Sequence, residues 1–238
     1  MTSFRLLHRA LRYRLKLNPT EIANMLKRLP KGGTAVDIGA HKGAYTYWMA
    51  RQVGPSGRVI AVEPQASLCT RLRAEFAAIP AISIVHAAAA ATKGELTLSL
   101  RGNGSSHGAS IHGFPDEPDA PTIRVPAVSL RSLVDDHQLT RLDFIKCDCE
   151  GAELEILSAA VPLLSTLRPA VLCEAEARHH SGSSPVNQLV DLFSAAGYSA
   201  HFAYGRSLLP FTAFDADVHQ QAGKRPYANN FLFLPPPA

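Results

Sequence analysis

The feature that most constrains this chain is an apolar run that meets an acid and then turns through two glycines. The run covers residues 36–38 with Asp37 inside it, and Gly39, Ala40 and Gly43 follow. Glycines at a strand-to-helix turn let the backbone pass close to a ligand, while the first turn of the next helix offers unpaired N–H groups. The pattern is typical of a doubly wound α/β domain that binds a nucleotide-like cofactor.

Asp37 separates two classes of cofactor. A carboxylate beside a pyrophosphate is electrostatically unfavourable, so a nicotinamide-dependent oxidoreductase, which would share this fold, conflicts with Asp37. S-adenosylmethionine has no phosphate; its ammonium can pair with an acid, and its carboxylate suits backbone N–H groups. The loop therefore predicts that Asp37, Gly39, Ala40 and Gly43 bind S-adenosylmethionine.

A second apolar run, residues 59–62, ends in Glu63 and Pro64 about twenty residues after Gly43. An acid at the end of a second strand and at this spacing is expected to bind ribose hydroxyls. We therefore assign Glu63 to the ribose of the cofactor, with Pro64 beside it.

Two later segments are expected to border the same pocket. A third strand over residues 81–87 would place His86 and Ala87 where adenine contacts fall, although His86 could equally be a core histidine. The long loop 101–122, between strands predicted over 95–100 and 123–128, is expected to sit over the pocket as a lid. His107 in that loop is a candidate substrate contact, with a solvated loop histidine as the alternative.

Three acids, Asp148, Glu150 and Glu153, follow an apolar run over residues 142–147, and a helix is predicted to begin near Gly151. Acids at the carboxyl end of a strand face the ligand crevice of an open α/β sheet. In an extended stretch Asp148 and Glu150 would point the same way. Either is a candidate catalytic base, Asp148 is also a candidate cofactor contact, and Glu153 is either a substrate contact or an acid favoured by the helix dipole.

A further strand over residues 169–176 carries Glu174 on the crevice side, which makes Glu174 a third candidate substrate contact. A divalent cation held by these acids, completed by Glu174 or His179, is an alternative that the ligand spacing does not demand. Metal dependence is therefore not favoured.

Over residues 34–176 the chain resembles FkbM-type S-adenosylmethionine-dependent methyltransferases. The resemblance implies a Rossmann-like class I methyltransferase fold, with a doubly wound, seven-stranded, mostly parallel sheet whose last strand is antiparallel. The family has aliphatic residues where this chain has Cys147 and Cys149. The stretches that carry the resemblance are residues 36–43, 62–64, 129–133 and above all 143–153, with 230–234 similar to the family's closing strand.

The resemblance implies an O-methyltransferase that acts on a hydroxyl of a sugar, a glycan or a secondary metabolite, so a small-molecule or glycan acceptor is the expected partner. A hydroxyl is far less acidic than a carboxylate, so Asp148 or Glu150 would take the proton as it leaves in the transition state. Hydrogen bonding of these acids to substrate or to the methionine ammonium is the rival role. A protein of another class, which binds the cofactor without catalysis and is recruited to a membrane or assembly, is the alternative function.

Basic charge is concentrated in residues 1–31, which carry eight Lys or Arg against the single acid Glu21, whereas the whole chain has a net charge of +4. We expect residues 1–31 to form a basic N-terminal helical arm and residues 32–238 to form the methyltransferase domain. Packing of the arm on the enzyme is the favoured interpretation, and contact with an anionic membrane surface or partner is the alternative. The apolar positions at helical spacing in the arm are Phe4, Leu7, Leu11 and Leu15.

The composition fits a soluble globular enzyme. Apolar residues make up 46% of the chain and charged residues 18%, and neither a membrane-spanning run nor a signal-peptide core is present in the sequence, so we expect a cytoplasmic protein. No basic and aromatic interleaving continues past the arm, so nucleic acid is not an expected partner. The four cysteines are too few and too scattered for a disulfide framework, and the sequence does not predict the oligomeric state.

Overall fold

The computed structural model describes residues 3–102, 108–114, 116–176 and 184–236. Within these ranges a π-helical turn, Tyr13–Leu17, joins the first two α-helices, and a 3₁₀ turn covers Phe211–Ala213. The α-helices are α1 Phe4–Arg12, α2 Pro19–Arg28, α3 Ala44–Val53, α4 Ala66–Phe76, α5 Leu130–Asp136, α6 Glu153–Ala159, α7 Val161–Leu167, α8 Pro185–Ala195 and α9 Ala216–His219.

The described strands form two sheets, one of eight strands and one of four. The eight-stranded sheet has the order β11-β10-β12-β9-β8-β1-β2-β3, and the four-stranded sheet has the order β4-β7-β5-β6. The strands are β1 Thr34–Ile38, β2 Arg58–Glu63, β3 Ile82–His86, β4 Ala88–Ala89, β5 Gly94–Leu100, β6 Ala109–Ser110, β7 Thr122–Val128, β8 Phe144–Cys147, β9 Ala170–Glu174, β10 Ser199–Tyr204, β11 Ser207–Pro210 and β12 Asn230–Leu234.

The large sheet confirms the predicted doubly wound architecture. Strands β1, β2, β3, β8 and β9 are parallel, and β12, the last strand of the chain, runs antiparallel to both β9 and β10. The predicted count of seven strands omits β11, which pairs with β10 in a hairpin at the sheet edge. Because the chain moves from β1 outward to β3 and then returns to β8 on the other side of β1, the strand order reverses between β1 and β8, where ligands bind in such folds.

The two strands at this reversal are buried along their whole length, as expected for the centre of a parallel sheet. Each carries one charged residue among apolar neighbours, and Asp37 of β1 lies directly opposite Lys146 of β8 in the strand register. Both side chains are buried. An oppositely charged pair is therefore built into the sheet just below the carboxyl ends of its central strands.

The N-terminal arm packs on the body of the protein, although not through the four apolar residues named above. Leu6 and Ala10 are fully buried in one apolar cluster with α2, α3 and the sheet, and the Trp48 indole donates a hydrogen bond to the Ala10 carbonyl at 2.8 Å. The predicted apolar positions are instead exposed, because they lie on the opposite face of the helix. In the part of the chain that the structure describes, no helix is both long enough and apolar enough to cross a bilayer.

The four-stranded sheet confirms the two strands predicted around the long loop. Strand β5 pairs antiparallel with β7 from Gly94 opposite Ala127 to Ser99 opposite Thr122, and β6 pairs with the end of β5. This small sheet brings the described part of the 101–122 segment to the carboxyl edge of the large sheet, where the side chain of Ser110 donates a hydrogen bond to the Glu150 carbonyl at 3.0 Å.

Candidate functional site

Two cavities lie side by side at the carboxyl ends of β1, β2 and β8. The first, the apolar cavity, has a volume of about 300 Å³ and lies between the large sheet and the small one. The second, the polar cavity, has a volume of about 240 Å³ and lies between the large sheet and the N-terminal arm. The residues that line both cavities are Tyr13, Gly39, His41, Asp148 and Glu174.

Strand ends and small side chains form the apolar cavity. Three residues predicted to contact the cofactor, Glu63, Pro64 and Ala87, line it together. The small sheet closes the opposite side. The lining residues that come from the small sheet and from the segment after β6 are Ala88, Ala89, Leu98, Ala109 and Ile111.

Glu63 ends β2 with its carboxylate held by backbone donors. The His41 amide donates to Glu63 Oε2 at 2.8 Å, and the Gln65 amide donates to Oε1 at 2.9 Å. Burial raises the pKa of Glu63 to about 7, although these two hydrogen bonds favour the charged form. A carboxylate fixed in this way presents two oriented acceptor oxygens to the apolar cavity, which is the chemistry that a ribose diol requires.

The glycine loop owes its glycines to packing within the protein. Gly39 has φ +75°, and a Cβ atom there would lie 1.9 Å from the Asp148 carbonyl oxygen, so the loop after β8 occupies the space of the missing side chain. Gly43 has φ +76°, and its Cβ would lie 2.8 Å from Leu72 and 2.9 Å from Phe76 of α4. Gly39 lines both cavities, whereas Gly43 lines neither, so the placement of Gly43 gives no support to its predicted cofactor contact.

Asp37 lines the polar cavity and is buried. Its Oδ2 accepts a hydrogen bond from the Thr46 hydroxyl at 2.5 Å, while its Oδ1 is buried and has no hydrogen-bond partner among the described residues. Burial raises the pKa of Asp37, and the ammonium of Lys146 opposes that rise. A buried carboxylate oxygen without a donor is a suitable partner for a cationic group of a ligand.

Lys146, Asp37 and Asp148 form a charged cluster beside the polar cavity, in which Lys146 and Asp37 are buried and Asp148 is 33% exposed. The Lys146 ammonium donates to Asp148 Oδ2 at 2.7 Å. Burial opposes the charged form of Lys146, but the carboxylates of Asp148 and Asp37 outweigh burial and raise its pKa. Lys146 lies within residues 143–153, the stretch that most strongly carries the family resemblance, but it was not predicted as a site residue, because a lysine inside an apolar strand run is not a recognised site signal by itself.

Asp148 and Glu174 are neighbouring carboxyl groups whose pKa values shift in opposite directions. Burial opposes ionisation of Asp148, yet Lys146 and a hydrogen bond from Glu174 lower its pKa. Burial and the neighbouring Asp148 charge raise the pKa of Glu174 well above its ordinary value, so Glu174 is the protonated partner. The Asn229 amide donates to Glu174 Oε1 at 2.5 Å. Asp148 is therefore an ionised acceptor, and Glu174 is a neutral acid beside it.

The other two acids of this region do not take the predicted positions. Glu150 has φ +53°, so the stretch after β8 is not extended, and its exposed side chain lies beside Gly108 and lines only the apolar cavity. Glu153 is buried, and its carboxylate accepts from the amides of Cys149 at 2.5 Å and Gly151 at 3.0 Å. Glu153 lines neither cavity, so its placement gives no support to the predicted substrate contact; this side chain instead holds the loop that carries Asp148.

The remaining predicted residues are placed as follows. Ala40 lines the polar cavity, whereas His86 lies outside both cavities, with its Nε2 at 3.0 Å from the Pro64 carbonyl oxygen, so His86 positions the turn after β2. His107 and His179 lie outside the described residues. The described residues contain no group of three or more His, Cys, Asp or Glu arranged to hold a metal ion.

Several lining residues were not predicted. Tyr13 and Asn18 come from the arm, and no local motif marks them as site residues. His41 and Tyr45 follow the first glycine and could have been found from their place in the loop and at the start of α3. The Tyr45 hydroxyl is buried without a hydrogen-bond partner among the described residues, as is Asp37 Oδ1. Both residues line the polar cavity.

The doubly wound sheet thus carries an acid at the end of β2 and a buried acid in β1, at the edge where the two cavities lie. The family model described as the methyltransferase FkbM domain matches residues 37–200. The chain therefore belongs to the FkbM methyltransferase family, in agreement with the resemblance of its motifs.

Comparison with solved structures shows the same fold. A methyltransferase FkbM from Methylobacillus flagellatus KT is 14% identical, with a TM-score of 0.52 over 96% of this chain; the match spans only 54% of the length of that protein. An O-methyltransferase from Bacillus cereus, solved in complex with SAH, is 13% identical, with a TM-score of 0.50 over 98% of this chain and 91% of its own. No curated protein matches the sequence.

Proposed function

We propose that this protein is an O-methyltransferase that transfers the methyl group of S-adenosylmethionine to a hydroxyl of a sugar, a glycan or a secondary metabolite. The observation that carries the proposal is Asp148, an ionised carboxylate that lines both cavities where they meet. A methyl donor that spans the two cavities would place its sulfonium at that junction, where Asp148 can orient an acceptor hydroxyl toward the methyl group.

The described residues fit the two ends of S-adenosylmethionine. The apolar cavity offers the small residues Pro64 and Ala87 to a flat base and the fixed carboxylate of Glu63 to a ribose. The polar cavity offers the free Oδ1 of Asp37 to an ammonium and the hydroxyl of Tyr45 to a carboxylate. Each unsatisfied protein atom thus has a complementary group on the ligand.

S-adenosylmethionine, when bound, supplies an electrophilic methyl group on a sulfonium. The task left to the protein is to orient an acceptor hydroxyl and to receive its proton. Asp148 can accept a hydrogen bond from the hydroxyl and take the proton as the oxygen attacks, since a hydroxyl is too weak an acid to ionise beforehand. Lys146 fixes the Asp148 carboxylate in place, and the protonated Glu174 donates to its other side.

The test is the Asp148→Asn variant, assayed for methyl transfer to a panel of sugars, glycans and hydroxylated metabolites, with S-adenosylhomocysteine binding measured in parallel. We expect turnover to fall by about 100-fold or more, because a positioned proton acceptor contributes at least that much. The affinity for S-adenosylhomocysteine should change little. Asp135→Asn, an exposed acid paired with Arg131, is the matched control and should leave both quantities unchanged.

Full turnover in Asp148→Asn would remove Asp148 from the mechanism. If the unmodified protein binds S-adenosylhomocysteine but transfers methyl to no acceptor in the panel, the result favours the non-catalytic alternative. Thermal unfolding of each variant separates a loss of activity from a loss of fold.

A further inference from the structure

Exposed large apolar side chains are concentrated in the N-terminal arm. Six such side chains occur among the described residues, and five of them lie within residues 4–17. Phe4 is 81% exposed and Leu15 is 60% exposed. Because scattered single apolar residues are normal on a protein surface but a concentrated patch is not, this segment calls for a partner. The five are Phe4, Leu7, Leu11, Leu15 and Leu17, and the sixth is Val218.

Four of these side chains form one continuous stripe along the helix. Phe4, Leu7, Leu11 and Leu15, here called the apolar stripe, follow one another at spacings of three and four residues, which places them on one helix face. The buried Leu6 and Ala10 occupy the other face, against α3. The arm has therefore already used one face for folding, and the apolar stripe is left open to solvent.

Positive charge borders the apolar stripe. Arg5, Arg12 and Lys16 are seven and four residues apart, which places them on an adjacent face of the helix, and all three are exposed. No acid occurs in residues 3–17. Beside Phe4, a shallow surface pocket is lined by Arg5, His8, Arg9, Arg12 and Arg71, with Arg71 also paired to Glu75 of its own helix at 2.9 Å.

We propose that this face of the arm docks onto an anionic phospholipid bilayer, with the helix lying in the plane of the interface. An apolar stripe bordered by Lys and Arg is the arrangement by which helices lie in such interfaces, where the apolar face enters the acyl region and the cations meet lipid phosphates. A second copy of the chain is a poorer occupant, since contact between two apolar stripes would bring two acid-free basic surfaces together.

Docking would also position the site. Arg9 and Tyr13 belong to the same helical segment as the apolar stripe, and both line the polar cavity. A helix with its side chains is about 10 Å across, so the bilayer surface would lie about that distance from the cavity. The docking face is separate from the residues that would hold the methyl donor, so its failure and the failure of the proposed function are distinguishable.

The test is flotation of the full chain with vesicles of phosphatidylglycerol mixed with phosphatidylcholine, compared with vesicles of phosphatidylcholine alone. We expect binding to the anionic vesicles only, and we expect it to weaken as salt is raised. The Phe4→Ser/Leu11→Ser/Leu15→Ser variant should lose about 100-fold or more in partitioning, because three apolar side chains no longer enter the interface. Arg5→Gln/Arg12→Gln/Lys16→Gln should lose about fivefold per charge removed.

Val218→Ser is the matched control, since Val218 is also an exposed apolar side chain but lies outside the arm, and it should bind like the unmodified protein. Equal binding by the Phe4/Leu11/Leu15 variant, or no binding of the unmodified protein to anionic vesicles at low salt, would overturn the proposal. Light scattering that shows a dimer of the unmodified protein and a monomer of that variant would assign the stripe to self-association instead. All substituted positions are exposed, so thermal unfolding should be unchanged.

Discussion

The apolar and polar cavities lie side by side, but the residues that line them differ in chemistry. The apolar cavity is formed by strand ends, small side chains and one carboxylate that backbone amides hold in place. The polar cavity contains the charged groups of Asp37, Lys146 and Asp148, and the two carboxylates favour the charged form of the buried Lys146. The apolar cavity is therefore a consequence of the fold, whereas the polar cavity depends on specific ion pairing. Variants that affect one cavity and not the other test this distinction.

The largest expected effect breaks the polar cavity alone. Lys146→Met leaves the buried carboxylate of Asp37 and the partly exposed carboxylate of Asp148 without their cation, and loss of the cation beside a buried acid costs about 3–5 kcal/mol. Urea unfolding measures this loss. Lys93→Met is the control, because Lys93 forms an exposed pair with Asp136 that is worth at most about 1 kcal/mol. Similar losses in the two variants would show that the charged cluster does not stabilise the fold.

A slightly smaller effect should break both cavities at once. Gly39→Ala combines a left-handed backbone with a clash against the Asp148 carbonyl oxygen. We expect the free energy of unfolding to fall by about 3 kcal/mol and S-adenosylhomocysteine binding to be lost. Gly197→Ala is the control, because Gly197 has φ +80° and open space around its missing side chain, so only the backbone cost of about 1–2 kcal/mol applies. Equal losses by urea unfolding would contradict the close contact between the two loops.

A third variant tests which half of the ligand each cavity holds. Asp37→Asn should weaken S-adenosylhomocysteine about 10- to 100-fold, because a charge-assisted hydrogen bond to the ammonium is lost, and should leave adenosine unaffected. Glu63→Gln should weaken both ligands, since both carry the ribose. Calorimetric titration of the two ligands into both variants gives the four constants. Loss of adenosine binding in Asp37→Asn would contradict the division of the ligand.

The smallest expected effect is a pH dependence of the apolar cavity. With a folded pKa of about 7 against an ordinary value of 4.5, Glu63 is mostly protonated near pH 6, so binding that needs its carboxylate should tighten by up to about tenfold per pH unit until pH 7 and then level off. Glu63→Gln should remove this slope. A flat affinity for adenosine between pH 5.5 and 8 in the unmodified protein would contradict the assigned role.

The stability linkage of the same residue has a defined sign. Because the folded pKa of Glu63 is raised, its contribution to stability is fully present below pH 4.5 and is lost as pH rises through about 7. Between those limits the unmodified protein should lose stability with rising pH relative to Glu63→Gln. Thermal unfolding of both proteins across this range, without ligand, checks the sign.

The sequence predicted the parts of the site that depend on strand ends. Glu63, Pro64 and Asp148 follow apolar runs, and in a parallel sheet the carboxyl ends of such runs meet at one edge, so their convergence follows from the pattern alone. The antiparallel direction of the last strand was predicted only from the family resemblance, because nothing in residues 230–234 indicates a strand direction.

The residues that the arm and the segment before β12 contribute to the polar cavity could not be predicted in this way. Asn229 and Asn18 reach it from parts of the chain that are distant in sequence, and long-range packing, which has no local signature, brings them there. Glu153 illustrates the opposite case. Its position in an acid-rich run suggested ligand contact, but backbone amides of its own loop were closer partners.

One wall of the apolar cavity, which includes Leu98 and Ala109, belongs to the four-stranded sheet, while the wall that carries Glu63 belongs to the eight-stranded sheet. A molecule lodged between them touches two layers whose ladders of hydrogen bonds are separate. Such a molecule would connect the two sheets, which the polypeptide itself connects through contacts such as the hydrogen bond from Ser110 to the Glu150 carbonyl. Ligand occupancy and the cohesion of the two layers are thus coupled by construction.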